Sequence, residues 1–225
     1  MRDRKRYGQF CALARALDHV GDRWTLLIVR ELLPGPRRFA ELLAGLPGVA
    51  PNLLVDRLRS LQASGIVERS SHPPRSASVT YTLTDLGRGL EPSVHALIRW
   101  GAVWMRTGPG GDHVDPRWGA IALEALLDEP TMTDPPGRLA VHIGDEHLVI
   151  EVGSHGRRVF VPGSAAGADA RVHGDLPTLL AVAAGTATLP SSSVRVEGDA
   201  RFAAAAMTPA GLVSHRRQED VHDPR

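Results

Sequence analysis

Three groups of side chains in this chain have the types and spacing that chemistry requires. In the first, Pro51, Asn52, Val55, Asp56 and Arg59 lie off the face of a helix whose opposite side carries Leu54, Leu58 and Leu61. An asparagine amide can bond adenine N6 and N7 together, and an arginine can bond guanine or a phosphate, so this set suits the major groove of a duplex. Arg37 and Arg38, ahead of a short preceding helix, and His72 and Arg75, in a proline-containing loop, are cations suited to phosphates or the minor groove. Such contacts supply affinity and its salt dependence more than sequence choice.

The second group is the single cysteine, Cys11, with Arg15 one helical turn away. A neighbouring guanidinium favours the thiolate, the form that oxidants attack. Against a redox role, no second cysteine is present to resolve a sulfenic acid within one subunit, and cysteines are often simply buried. The third group is His142, Asp145, Glu146 and His147, all metal-ligating types. A polar hairpin turn around Gly144 explains them better, and neither a metal nor a cofactor is expected. Nothing resembles a nucleophile elbow, a zinc-protease helix, a phosphate loop or paired cysteines, so the chain does not read as an enzyme.

These groups need elements to hold them. Phe10, Leu13, Ala14, Leu17 and Val20 make an apolar helical stripe that ends at Gly21. Asp22 is placed to cap a second helix bearing Trp24, Leu27, Ile28 and Leu32, with Glu31 alone interrupting its stripe, and Pro34-Gly35-Pro36 stops it. A short helix over 40–46, a turn through Pro47-Gly48, and a longer helix from Pro51 to Gly65 form a helix-turn-helix. Strands over 66–69 and 79–83, separated by a loop containing Pro73-Pro74-Arg75, form a wing. Thr84 should cap the helix that follows, and Pro92 should kink or restart it. Trp24 and Trp104, each on an apolar stripe, are expected to anchor a core or an interface.

Behind the glycine-rich stretch 107–112 the period changes. A helix over 118–127 precedes strands over 139–143, 147–152 and 158–161; strands over 170–173 and 194–197 alternate with helices over 176–184 and 200–207. The expected fold class is therefore α+β, with a winged helix-turn-helix domain over 1–107, a linker over 108–115, a second α+β domain over 116–210 and a polar tail over 211–225. At 43% hydrophobic residues the chain has apolar material enough for two cores.

Net charge supports the division. Residues 1–110 carry 16 Lys and Arg against 9 Asp and Glu, whereas residues 111–225 carry 10 against 16. The front portion is thus fitted to a polyanion and the rear is not. The charged opening Met1-Arg2-Asp3-Arg4-Lys5-Arg6 does not read as a signal peptide, and the apolar run 176–189 is broken and too short for a bilayer. With one cysteine, the expected location is the cytoplasm.

The stretch from Cys11 through Gly21-Asp22-Arg23-Trp24-Thr25-Leu26-Leu27, Gly35-Pro36-Arg37-Arg38-Phe39, Pro51-Asn52-Leu53-Leu54, Gly65-Ile66-Val67-Glu68-Arg69 and Tyr81-Thr82-Leu83-Thr84-Asp85-Leu86-Gly87 resembles the HxlR-type winged-helix transcriptional regulators. The resemblance implies a homodimer formed through the first and last helices of the domain, bound to a pseudo-palindromic double-stranded operator. Some members of that family sense oxidants through an N-terminal cysteine, which gives an alternative reading in which Cys11 is the sensor and the rear domain only braces the dimer.

More loosely, Ala168 to Gly185 and Val194 to Asp199, with the hairpins before them, are similar to the sterol carrier protein fold. That likeness implies an apolar cavity lined by Leu123, Leu126, Leu127, Leu139, Val141, Ile143, Leu148, Ile150, Val152, Leu179 and Leu180, and a hydrophobic small-molecule effector held there. The same residues would equally close a solid core, because inward-facing side chains have one periodicity in both cases.

Overall fold

The computed structural model describes residues 6–71, 79–105, 108–127, 136–153, 156–160, 165–189 and 191–209. The chain divides into two compact units, residues 1–94 and 95–225. No helix among the described residues is long and apolar enough to cross a membrane.

In the front unit, α1 (Ala12–Val20), α2 (Thr25–Leu32), α3 (Phe39–Ala44) and α4 (Pro51–Ala63) precede the wing strands β2 (Val67–Ser71) and β3 (Val79–Leu83). A two-residue strand, β1 (Arg37–Arg38), pairs with the other edge of β3, so the wing is a three-stranded sheet of order β1-β3-β2. The core is Ile28, Val29, Leu32, Leu42, Leu46, Leu54, Leu58, Leu61, Ile66 and Leu83, all 5% exposed or less. Burying a leucine of this kind contributes about 1.5–3 kcal/mol, which is what fixes α4 against α2 and α3.

Two local expectations are corrected. Asp22 does not cap α2: the residue before the helix is Trp24, in the left-handed region at φ 77°, and no side chain caps it. The turn from α1 is closed instead by the Thr25 N–H donating to the Asp22 carbonyl, and the Asp22 carboxylate is drawn to the Arg57 guanidinium 3.1 Å away. The α1 stripe is also less buried than its spacing suggests, since Phe10, Leu13 and Leu17 are exposed while Ala14 and Val20 enter the core. Arg37 and Arg38 do precede the short helix α3, and beyond that expectation they form a strand, Arg37 pairing with Tyr81 and Arg38 with Thr80 across β1 and β3.

The end of the wing follows expectation. The Thr84 hydroxyl oxygen accepts from the Gly87 N–H (3.1 Å) and caps the short α5 (Asp85–Arg88). The helix then restarts as α6 (Glu91–Gly101), with Pro92 in its first turn, where a missing N–H costs nothing.

The rear unit opens with a 3-10 turn at Pro116–Trp118, followed by α7 (Gly119–Leu127). Asp115 caps the turn, accepting from the Arg117 N–H and the Arg117 guanidinium; those hydrogen bonds hold its carboxyl below the usual carboxylate range. Strands β4 (Gly137–Ile143), β5 (Glu146–Gly153), β6 (Gly156–Phe160), β7 (Ala170–His173) and β8 (Arg195–Gly198) form one sheet of order β6-β5-β4-β7-β8, in which β4 and β7 run parallel and the other pairs antiparallel.

Strict alternation sends Leu139, Val141, Ile143, Leu148, Ile150, Val152 and Val172 to one face of that sheet, in one cluster with residues of α7, α8 (Leu176–Ala183) and α9 (Ala200–Met207). Arg157 enters the same face at the edge strand, and its guanidinium donates to the carbonyls of Leu127 (3.3 Å) and Ala205 (3.1 Å). A cation is favourable at the closing turn of a helix, so Arg157 ties the ends of α7 and α9 to β6. The opposite face carries Arg138, His142, His147, Glu151, Arg171, His173 and Glu197.

Candidate nucleic-acid interface

Helix α4 is held from behind and left open in front. Leu54, Leu58 and Leu61 are 1% exposed or less, while Pro51, Asn52, Asp56 and Arg59 are exposed and Val55 is half-buried. Proline at the first helical position needs no hydrogen-bond partner, and the glycine Gly65, at φ 68°, turns the chain out of the helix into β2. Arg57 is spent on positioning: it pairs with Asp22, and its Nε donates to the Arg23 carbonyl (3.2 Å). This locks the angle of α4 to the turn between α1 and α2.

Arg59 faces outward, with its nearest carboxylate, Asp56, 3.9 Å away and both side chains mostly exposed. An exposed pair of this length contributes at most about 1 kcal/mol, so a phosphate or a guanine edge can displace Asp56 with little loss. Arg38 is exposed and Arg37 half-buried on β1, beside the start of α3. The Glu41 carboxylate accepts from the Arg38 N–H at 2.6 Å, fixing the backbone there and leaving its cation to solvent. His72 and Arg75 lie outside the described residues.

The structure adds residues that the helical pattern could not supply. A cleft of about 280 Å³ between α4 and the wing is lined by Val55, Leu58, Arg59, Gln62, Arg69 and Tyr81. Arg69 and Tyr81 sit opposite one another on β2 and β3, so a second cation and a phenol flank the recognition face. Helical spacing does not mark either residue; hairpin register, which pairs Arg69 with Tyr81, does.

Buried support for the helix pair comes from Glu31, the residue that broke the α2 stripe. It is 6% exposed, its Oε1 accepts from Arg30 Nη2 at 2.7 Å, and its carboxylate packs so closely on Gly45 that a Cβ there would lie 2.3 Å from Oε2. The charge is thus paired rather than stranded, which is the condition for burying it.

Residues 19–109 match the family model described as an HxlR-like helix-turn-helix. The HTH-type transcriptional regulator YvaP of Bacillus subtilis is 36% identical over 91 residues, covering 40% of this chain and 84% of that one. A regulator of the same type from Mycobacterium tuberculosis is 39% identical over 139 residues, covering 56% of this chain and 85% of the relative. The chain belongs to the HxlR family. It is a transcriptional regulator with a DNA-binding helix-turn-helix, and its homologues are regulators rather than enzymes. Among solved structures, the redox regulator HypR in its oxidised form is 33% identical with a TM-score of 0.40, covering 41% of this chain and 96% of that one.

The residues expected to line a cavity in this HxlR protein lie together in the rear unit. Leu123, Leu127, Leu139, Val141, Ile143, Leu148, Ile150, Val152 and Leu179 are buried in one cluster, and Leu126 and Leu180 pack against it partly buried. A separate cleft of about 390 Å³, lined by Pro136, Asp169, Asp199, Arg201, Phe202 and Ala205, includes none of the eleven. Cys11 is exposed immediately before α1.

Proposed function

We propose that this HxlR regulator binds a pseudo-palindromic operator as a cytoplasmic homodimer and that a hydrophobic small molecule held in its rear unit controls that binding. The observation that carries the DNA reading is the division of α4 into a leucine side sealed in the core and an outer side presenting Asn52, Val55, Asp56 and Arg59. Asn52 reads adenine, Arg59 reads guanine or grips a phosphate, and Arg37, Arg38, His72 and Arg75 hold the backbone. Two such helices in a dimer would enter successive major grooves about 34 Å apart.

The dimer is supported by apolar side chains that the chain itself leaves uncovered. Phe10, Leu13 and Leu17 are exposed at and along α1, and Leu97, Trp100 and Trp104 are exposed on and after α6. Isolated exposed leucines are ordinary, but aromatic and aliphatic residues repeated along a helix are the composition of an interface. Phe10→Asp with Leu13→Asp should convert the protein to a monomer by sedimentation equilibrium; an unchanged dimer sinks that interface.

The test of the reading is selection of bound sequences from a random DNA pool, followed by gel-shift titration. Asn52→Ala and Arg59→Ala should each weaken the selected operator about 5- to 100-fold and relax preference at one base position. If the parent protein ignores duplex DNA of every sequence at low salt, the proposal fails.

Control by an apolar effector rests on the leucine-rich cluster of the rear unit, where Leu126 and Leu180 lie at the margin, and on the likeness of that sequence to the sterol carrier protein fold. Native mass spectrometry with hydrophobic compounds should find a bound species that changes operator affinity. A second reading is favoured by the exposure of Cys11 ahead of α1: the thiol senses oxidants and the rear unit braces the dimer. Oxidant-dependent operator release, abolished by Cys11→Ser and unaffected by apolar ligands, would select it.

A further inference from the structure

The three-stranded wing sheet gathers cations that no single segment of the sequence holds together. Register sets Tyr81 of β3 opposite Arg69 on β2 and opposite Arg37 on β1. Residues paired in register share a face, so a phenol lies between two arginines in one row across the sheet. Helix α4 brings Arg59 and the Gln62 amide, and these residues, with Val55, Leu58 and the Arg69–Tyr81 pair, line the cleft of about 280 Å³.

Its donors are lightly engaged. Arg59 has the long pair with Asp56, at 3.9 Å, and the other ion pairs of the front unit among the described residues engage Arg15, Arg30 and Arg57 rather than Arg37 or Arg69. Arg59 and Arg69 are exposed, Val55, Gln62 and Tyr81 are half-buried, and Leu58 is buried. The cleft therefore combines an excess of positive charge on its open side with an aliphatic floor.

That combination separates two kinds of anion. A DNA phosphate is small, fully polar and carried on a convex strand, so protruding cations grip it and Val55 and Leu58 add nothing. An organic carboxylate with an apolar body uses both halves of the cleft. A guanidinium bonds the carboxylate through two parallel hydrogen bonds, and the body takes aliphatic and phenol surface out of water. Pockets for drug-sized ligands run from about 300 Å³ upward, so a cleft of about 280 Å³ suits a single ring or a short chain.

We propose that the cleft between α4 and the wing binds a small apolar monocarboxylate and that its occupation excludes the operator. Arg69 and Arg59 hold the carboxylate, Gln62 supplies a further donor, and the apolar body rests on Val55, Leu58 and the Tyr81 ring. Arg37, outside the lining but in register with Tyr81, raises the local potential without touching the ligand. Exclusion follows from position, because Val55 and Arg59 belong to the outer side of α4 that the proposed DNA reading requires. The consequence rests on that reading, whereas the site itself does not. It gives the front unit a control of its own, independent of the leucine-rich cluster of the rear unit.

The experiment titrates the full chain, without DNA, with sodium benzoate, benzyl alcohol and inorganic phosphate, following ligand and protein resonances by NMR. Benzoate should bind saturably at one per chain. Benzyl alcohol and phosphate should bind at least about tenfold more weakly, because one lacks the charge and the other lacks the body. Cross-relaxation should place the benzoate ring against Val55, Leu58 and Tyr81. Arg69→Gln should weaken benzoate about tenfold or more and Arg37→Gln less than about threefold. In a gel shift with the selected operator, benzoate at about ten times its Kd should raise the operator Kd about tenfold, the value for simple competition, and about twofold or less in Arg69→Gln.

Should Arg69→Gln fail to fold, the cross-relaxation contacts and the competition measured on the parent protein decide. No saturable binding of benzoate overturns the proposal; so does phosphate that binds as tightly, a benzoate ring placed outside the cleft, or operator affinity unchanged at benzoate saturation. Benzoate seated in the cleft of a protein that ignores every duplex supports the site while removing the DNA reading, so the two failures are told apart.

Discussion

At the scale of single residues, the least tolerant positions of the front unit are those where backbone or charge has no room to yield. Gly87 packs so that a Cβ would stand 2.1 Å from the Ile66 carbonyl oxygen. Gly87→Ala should therefore destabilise the protein by about 1–3 kcal/mol, read as a lowered urea midpoint, because the obstacle is backbone and cannot swing away. Glu31→Gln keeps the shape beside Gly45 but replaces the charge-assisted hydrogen bond from Arg30 with a neutral one; a loss of about 1–2 kcal/mol is expected by the same measurement. An effect below about 0.5 kcal/mol would show that the pair is solvated in solution. Glu31 was visible in the sequence only as a flaw in an apolar stripe. Its purpose could not be read because the partner surface, Gly45, belongs to another helix.

Among the elements, those with long periodic signals were legible and those defined by pairing were not. The leucine side of α4, the Thr84 cap, the sheet alternation of β4 and β5 and the helix over Ala200–Met207 follow from spacing alone. The strand β1 escaped because two arginines have no period, and the α4–wing cleft escaped because Arg69 and Tyr81 meet only through hairpin register. The histidines on the outer face of the rear sheet make their own prediction at this scale. His142 faces His147, His173 and Arg171, with Glu197 as the opposing charge, and its pKa in the folded state is lowered from 6.5, first by burial and then by His173.

The unfolded chain therefore takes up a proton first, so the stabilisation is fully present above pH ~6.5 and is lost as pH falls through the lower folded value. The melting temperature of the rear unit should decline as pH falls below about 6.5, and the decline should shrink in His142→Phe. A pH-independent melting profile would contradict the burial of that ring. Asp115 acts in a separate, more acidic window, below its ordinary value of 3.8, where protonation releases Arg117.

For the whole molecule, charge is distributed by unit rather than by average. The formal net charge of +1 combines a basic front portion with an acidic rear. Operator affinity should fall steeply with salt, and Arg37→Ala or Arg38→Ala should each reduce the slope of log affinity against log salt by about 1 while leaving base preference alone. A slope unchanged by both would remove those residues from the backbone contacts. The charge reversal and the glycine-rich stretch set the expected boundary at 107–115, whereas the compact units divide between residues 94 and 95, within α6. Which apolar residues of the rear unit face a guest and which face each other was not legible, because both arrangements bury the same alternate positions.

The parallel junction of β4 with β7 also sets an order of events on the ribosome. The buried leucine core of the front unit lies within residues 1–94, and the relative YvaP, 84% of which is matched by 91 residues, is little longer than the matched segment. The rear sheet, by contrast, keeps its middle strand half-clothed until Ala170–His173 has emerged. A nascent chain is thus able to close the core behind α4 while the rear sheet still lacks a flank, but the paired reading of an operator proposed above waits for the exposed apolar residues of α6 to follow.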